Sequence, residues 1–325
     1  MAIARRRLAA GRATEIVSCD SMQVYRGMDI GTAKATSAER EAVRHHLIDI
    51  VDPTEEFSVA DFWPLVTEAL DDIEGRGSSA ILVGGTGLYV RSVTDVMEMP
   101  PRYPDVAAEL EPEPDTAVLL HRLSELDPVA ASRIPIGNRR RIVRALEVTL
   151  GSGVPFSDSG PGMDVYEPTP FALAGLRVPR DVLRLRIEAR LHAQMAEGFL
   201  DEARRLATLP GGASRTAVRA LGYQELLIHL RGEIDLDGAV DAAIVNTGRF
   251  AVRQERWFRR DPRITWFAPE VDGTGPNDHS TAVAAAIDDW WAESAAARRG
   301  STTTVAPGRS DATDATDPTP PDRTT

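Results

Sequence analysis

The chain has 325 residues, 42% hydrophobic and 26% charged, with 37 Lys and Arg against 49 Asp and Glu for a net charge of −12. That length suggests about two domains, the lack of any apolar run near ~18–20 residues excludes a helical membrane span, and the acidic balance argues against wholesale nucleic-acid binding without forbidding a local basic face. A single cysteine, Cys19, excludes an internal disulfide framework and a multi-cysteine zinc site; with no apolar signal segment at the N-terminus, the expected location is the cytoplasm.

Met1 to about Leu8 reads as a helix feeding Glu15–Cys19, a short apolar run with the pattern of a buried parallel strand. Asp20 closes that strand and opens Asp20–Lys34, a stretch dense in polar groups and glycines. At the carboxyl end of a sheet Asp20 is a candidate general base; a capping aspartate on a surface loop is an equally good reading of the residues alone. His45 and His46 have no cysteine or acidic cluster at ligand spacing, so they read as packing or hydrogen-bonding residues rather than metal ligands. Ser58–Asp72 has a helical pattern with Ser58 as N-cap. Ser79–Val83 is a second buried strand, running into Gly84-Gly85-Thr86-Gly87 and a helix-like Leu88–Val90. This glycine turn lacks the third glycine of a dinucleotide fingerprint and fits a helix start carrying a free hydroxyl better.

Beyond residue 100 the chain becomes proline-rich and acidic, with seven acids against two arginines over 101–127. Helical patterns return at 117–125 and 139–150. The second carries Arg139, Arg140, Arg141 and Arg144 on one side and Ile142, Leu146 and Val148 on the other. Its arginines are either a solvated face or phosphate contacts. A glycine-rich break covers 151–163, Phe171–Leu176 is a third strand candidate, and Arg180–Leu206 and 237–259 read as long helices. In the last of these Arg249, Arg253, Arg256 and Arg260 fall at i, i+4, i+7 and i+11, one side of a helix. With few acidic partners nearby, this row favours anion or RNA binding. From about Ala296 the Thr/Asp/Pro-rich tail has little to bury and is expected to be disordered.

The expected fold class is α/β: a parallel-sheet core interrupted by a mainly helical insertion. The expected division is 1–103 for the core, 104–170 for the insertion, 171–295 for the rest of the core and the C-terminal helices, and 296–325 for the tail.

Taken together these motifs resemble one family, the bacterial tRNA dimethylallyltransferases. The residues that carry the resemblance are Asp20–Lys34, His45–Pro53, Phe57–Phe62, Leu82–Tyr89, Arg141–Glu147, Ala220–Tyr223 and the arginine helix ending at Arg259. The match runs over about residues 5–270 in family order. It implies a P-loop-kinase-like core, of a nucleotide- and ATP-binding class, with a helical insertion that grips tRNA. The implied reaction moves a dimethylallyl group from dimethylallyl diphosphate to N6 of adenine 37 in the anticodon loop. Asp20 would be the general base, with Thr86 and Arg219 in the reaction channel and Mg²⁺ carried by the diphosphate. Asp20, Ser21, Met22 and Gln23 would lie along the base and anticodon loop. Asn138, Arg139, Arg140 and Arg141, with Arg249, Arg253, Arg256 and Arg260, would hold tRNA. No metal-ligating residue and no membrane contact are implied, and a monomer is expected.

Two departures stand out. Asn138 occupies a position where the family usually has a carboxylate. The chain also lacks the family's opening strand and glycine-rich P-loop; its one lysine, Lys34, lies in Gly31-Thr-Ala-Lys34 and is no substitute. The chain as written is therefore expected to have little activity, through a misplaced start or as a non-catalytic tRNA-binding relic. A P-loop small-molecule kinase is the third reading, against which the arginine helix weighs.

Overall fold

The computed structural model describes residues 1–95, 97, 99–160, 162–163, 165–268 and 280–300. Its elements are, in chain order, α1 (Ala2–Ala9), β1 (Thr14–Ser18), α2 (Ser37–Ala42), β2 (His45–His46), α3 (Val59–Gly75), β3 (Ser79–Val83) and α4 (Gly87–Thr94). Then come α5 (Pro104–Leu110), α6 (Thr116–Leu126), α7 (Pro128–Arg133), α8 (Arg139–Ser152), β4 (Ala174–Leu176), α9 (Arg180–Ala196) and α10 (Phe199–Ala207). A 3₁₀ turn (Ala217–Arg219) precedes α11 (Tyr223–Leu230), α12 (Leu236–Phe258), β5 (Thr265–Phe267) and α13 (Ser280–Gly300).

Three parallel strands lie in the order β2-β1-β3, with Ile16 opposite His45 on one side and Ile81 on the other. All five residues of β1 are buried, the polar Thr14, Glu15 and Ser18 as well as Ile16 and Val17, as suits the central strand of a parallel sheet. Parallel strands need crossovers, and α3 supplies the one that carries the chain from β2 past β1 to β3 on the far side. Ser58 and Asp61 start α3: the Ser58 N–H and hydroxyl donate to Asp61 Oδ2 at 2.9 and 2.6 Å. The main core packs Val17, Tyr25, Phe62, Phe199, Leu226 and Tyr223 between sheet and helices.

A second apolar cluster lies wholly in the helical insertion, where Leu110, Leu119, Leu123, Ile142 and Leu146 are each at most 2% exposed. Burying one such side chain is worth roughly 1.5–3 kcal/mol. Ile142, Leu146 and Val148 face inward as their spacing in α8 requires.

Three expectations are corrected. The helix over 180–206 breaks after Ala196, because Gly198 takes φ +99° and starts α10 in a new direction. The third strand shrinks to Ala174–Leu176 and pairs in parallel with β5, outside the main sheet. The chain from Ala296 is not all tail: α13 runs to Gly300, while 301–325 lie outside the described residues. Helix α13 ends up on α1 because Asp288, with no exposed side-chain surface, accepts from Arg7 at 2.9 Å, Arg12 at 2.8 Å and Arg6 at 3.2 Å.

Candidate active site

The carboxyl ends of β1 and β3 stand side by side, locked by a hydrogen bond from the Cys19 N–H to the Val83 carbonyl at 2.7 Å. The chain leaves each strand over the same spot. Gly84 is needed there, since a Cβ on it would lie 2.3 Å from the Cys19 carbonyl oxygen. Asp20 therefore comes to rest beside the Gly84–Thr86 turn, although 64 positions separate Asp20 from Gly84 in the sequence.

Thr86 is the N-cap residue of α4. Its hydroxyl oxygen accepts the Ser21 N–H at 3.3 Å and lies 3.3 Å from the Ser21 hydroxyl. Asp20 Oδ1 accepts the Met22 N–H at 2.8 Å. Burial pushes the Asp20 carboxyl above its ordinary range, opposed by hydrogen bonds from the Met22 and Gln23 backbone. A carboxylate raised in this way is a stronger base than one in water. Among the described residues no ammonium or guanidinium pairs with it; its hydrogen bonds come from the Met22 and Gln23 backbone.

Cys19 is fully buried, and burial pushes its thiol up to about 12, so at neutral pH it is no nucleophile. His46 Nε2 lies 2.7 Å from Glu15 Oε2 and His45 Nδ1 lies 2.7 Å from the Val43 carbonyl, the hydrogen-bonding roles their sequence context suggests. Among the described residues no group of three or more His, Cys, Asp or Glu could hold a metal ion.

The arginine helix reaches the same spot. Gln254 of α12 donates to the Gly85 carbonyl at 2.9 Å, and the Trp257 indole lies where a Gly87 side chain would be. Arg249, Arg253 and Arg256 are exposed along α12, and Arg260 is exposed in the turn that follows it. Arg249 donates to Asn246 Oδ1 at 3.3 Å and the Arg253 guanidinium lies over the Phe250 ring. Their positive charge faces water, ready for an external anion.

Not every expected residue has a free side chain. Gln23 is spent inside the loop: its Nε2 donates to the Thr32 carbonyl at 3.1 Å and its Oε1 accepts from Ser18 at 3.1 Å. Asn138 caps α8, accepting the Arg141 N–H at 3.3 Å. Arg139 donates to the Glu111 carbonyl at 3.2 Å, whereas Arg140 and Arg141 are exposed. Arg219 ends the 3₁₀ turn, exposed to solvent. Lys34 is buried and donates to the Tyr25 carbonyl and Asp49 Oδ1 at 2.5 Å and Asp29 Oδ1 at 2.8 Å. Gln254 and Glu202, which meet the glycine turn and the Asp20 loop from distant helices, carried no local signal. A glutamine within an arginine row is the only hint, and it is weak.

The IPP transferase family model matches residues 23–261. A tRNA dimethylallyltransferase of Paenarthrobacter aurescens is 47% identical over 78% of this chain and 82% of its own length. One of Kineococcus radiotolerans is 47% identical over 82% and 84%. The crystal structure of the tRNA isopentenylpyrophosphate transferase of Bacillus halodurans superposes with a TM-score of 0.64 at 37% identity, covering 92% of both chains. A eukaryotic dimethylallyltransferase captured acting on tRNA has a TM-score of 0.72 at 23% identity over 90% of this chain and 76% of that one, a likeness of fold.

Proposed function

The chain belongs to the IPP transferase family, and from that premise we propose that it is a tRNA dimethylallyltransferase whose general base is Asp20. The carrying observation is a desolvated carboxylate, with no cation beside it among the described residues, at the mouth of the parallel sheet near the Ser21–Thr86 contact and the glycine turn.

In this reading N6 of an adenine, adenine 37 of the anticodon loop, attacks C1 of dimethylallyl diphosphate. The C1–N bond forms as the C1–O bond breaks, diphosphate departs with the Mg²⁺ it brought, and the N6 proton passes to the Asp20 carboxylate. An exocyclic amine is a weak nucleophile that must lose a proton on alkylation, so a base aimed at it speeds the step by about 10²–10⁴-fold. Thr86 and Ser21 supply hydroxyls at the channel wall.

The leaving diphosphate needs cations. Lys34 is already shared between two carboxylates; the resemblance to the family gives the role to Arg219, which is exposed at the end of the 3₁₀ turn. Flipping the adenine out of its stack costs a few kcal/mol, repaid in the pocket. The Arg249–Arg260 row, anchored to the site through Gln254 and Trp257, holds RNA phosphates, with Arg140 and Arg141 on the insertion. These contacts carry affinity and register rather than sequence choice.

The test is incubation of the chain with tRNA, Mg²⁺ and dimethylallyl diphosphate, followed by nucleoside mass spectrometry. The reading expects N6-dimethylallyl-adenosine with the wild type, slowly because no P-loop lysine grips the diphosphate, and its loss with Asp20→Asn. Product at an unchanged rate from Asp20→Asn refutes Asp20 as the base. Salt-dependent tRNA binding with no product from the wild type favours a non-catalytic RNA-binding protein.

A further inference from the structure

The segment that follows the site loop is held by helices far away in sequence. Three consecutive backbone N–H groups point at one carboxylate: Glu202 Oε2 accepts from Asp29 at 2.8 Å and Ile30 at 3.0 Å, and Oε1 accepts from Gly31 at 3.0 Å. The Tyr223 hydroxyl donates to the same Oε1, and Gln194 Nε2 donates to the Ile30 carbonyl at 2.6 Å. Glu202 is 2% exposed. Successive N–H groups of a turn make a concavity that selects an anion, and here α10 supplies that anion from within the chain. Gly31 lets the turn approach this closely, since a Cβ there would lie 2.2 Å from the Phe199 ring and 2.4 Å from the Tyr223 ring.

The other flank is tied by Lys34, whose ammonium joins Asp29 and Asp49, with Arg40 also on Asp49 at 2.6 Å. The three non-glycine residues with left-handed backbone among the described residues are Ala33, Leu47 and Asp49, at φ 51°, 61° and 59°. All lie in the two segments this ammonium joins. Strained backbone persists only where its surroundings hold it, and such positions gather at functional sites. The tie continues to the base. Thr32 accepts from Gln23, Gln23 accepts from Ser18 at the end of β1, and the Met22 N–H donates to Asp20.

We propose that Glu202 is a positioning residue: by gripping the N–H groups of residues 29–31 it holds Gln23 and Met22 in register and so aims the Asp20 carboxylate. The proposal rests on Asp20 being the base. A merely structural Glu202 would lower stability on removal without changing the chemical step.

Lys34 is the only lysine of the chain, so acylation by an N-hydroxysuccinimide ester, read by peptide mass spectrometry, reports the opening of this loop at one residue. The variants are Glu202→Gln, whose amide NH₂ would face donors where the carboxylate accepts, and Tyr223→Phe, which removes a single donor. Glu202→Gln is expected to raise Lys34 acylation and lower kcat, each about tenfold or more, with KM for dimethylallyl diphosphate within about twofold. Tyr223→Phe should move both in the same direction by about two- to threefold, and carries the test if Glu202→Gln does not fold.

Wild-type acylation in the variants overturns the proposal. So does faster acylation at unchanged kcat, which marks Glu202 as structural only. If the wild type transfers nothing, Asp20's role and its positioning fall together, while the acylation rates still decide whether Glu202 holds the loop.

Discussion

Replacing Asp288 by Asn should unfasten α13 from α1. The Asp288 side chain has no exposed surface and three guanidiniums converge on it. Arg6 and Arg12 are 46% and 40% exposed at the side chain, so each pairing is worth about 0–1 kcal/mol after screening by water. Arg7 differs: its side chain is 10% exposed, stacked on Trp291 at 3.7 Å, and hydrogen-bonded to Thr14 at 3.1 Å. Removing the partner of such a buried charge costs about 3–5 kcal/mol, a large share of a total near 5–15 kcal/mol. Urea unfolding at pH 7, followed by tryptophan fluorescence, should show that loss as a lower midpoint. Asp288→Leu combined with Arg7→Met should recover most of it, because no charge is left stranded.

The effect also has a pH signature. Burial alone would raise the Asp288 carboxyl, but Arg7, Arg12 and Arg6 hold it below its usual range. A carboxyl lowered on folding contributes stability that is present above its unfolded value, near about 3.9, and is lost as pH falls through the folded one. The gap between wild type and variant should therefore close in acid. A loss below about 1 kcal/mol at pH 7, or a gap indifferent to pH, would refute the claim that Asp288 holds a buried charge.

Asp20→Asn keeps an oxygen for the Met22 N–H and should lower kcat by about 10²–10⁴-fold. The same change should raise the melting temperature near pH 7. A carboxyl raised on folding contributes stability in its protonated form, which is lost as pH climbs through its unfolded value toward its folded one; calorimetry checks it. Alanine at Arg249, Arg253, Arg256 and Arg260 should weaken tRNA binding and flatten its log–log salt dependence by about 0.7–0.9 for each phosphate no longer neutralised, with stability changed by about 0.5 kcal/mol or less each. A salt slope equal to the wild type's would remove the row from the interface. Glu15 is held at about 2 by Arg76, His46 and Ser78 against the opposing effect of burial. Its contribution of about 3 kcal/mol should be complete above its unfolded value, near about pH 4.3, and fade toward pH 2; unfolding of Glu15→Gln across that range measures it.

The strands and the site loop are legible in the chain because their signals are local. Thr14–Ser18 and Ser79–Val83 are strand-length segments around Ile16–Val17 and Ala80–Val83, Ser58 is followed three residues on by Asp61, and Arg249, Arg253 and Arg256 of α12 recur at helical spacing. Strands and helix caps depend on neighbours in sequence, so the residues themselves report them; burial does not, and β3, expected to be buried, is half-buried at the sheet edge with Val83 51% exposed. The family follows from motifs that keep their order along the chain. Other features depend on distant partners. Lys34 could be recognised as the only lysine, but its burial between Asp29 and Asp49 could not, since Asp49 lies 15 residues away and nothing local marks the pairing. The break at Gly198 was hidden because the apolar spacing continues across it.

Sequence alone determined the elements, the exposed arginine face and the candidate base, since each is written in spacings of a few residues. Tertiary structure decided which of these meet. It brought Ser21, next to Asp20, to Thr86 across 65 positions and Gln254 to Gly85 across 169. It also spent Gln23 and Asn138 on the loop and the helix they belong to. The reason is physical: a hydrogen bond or a shift in acidity depends on distance and burial, and neither is set until the sheet, α10 and α12 have packed around the loop.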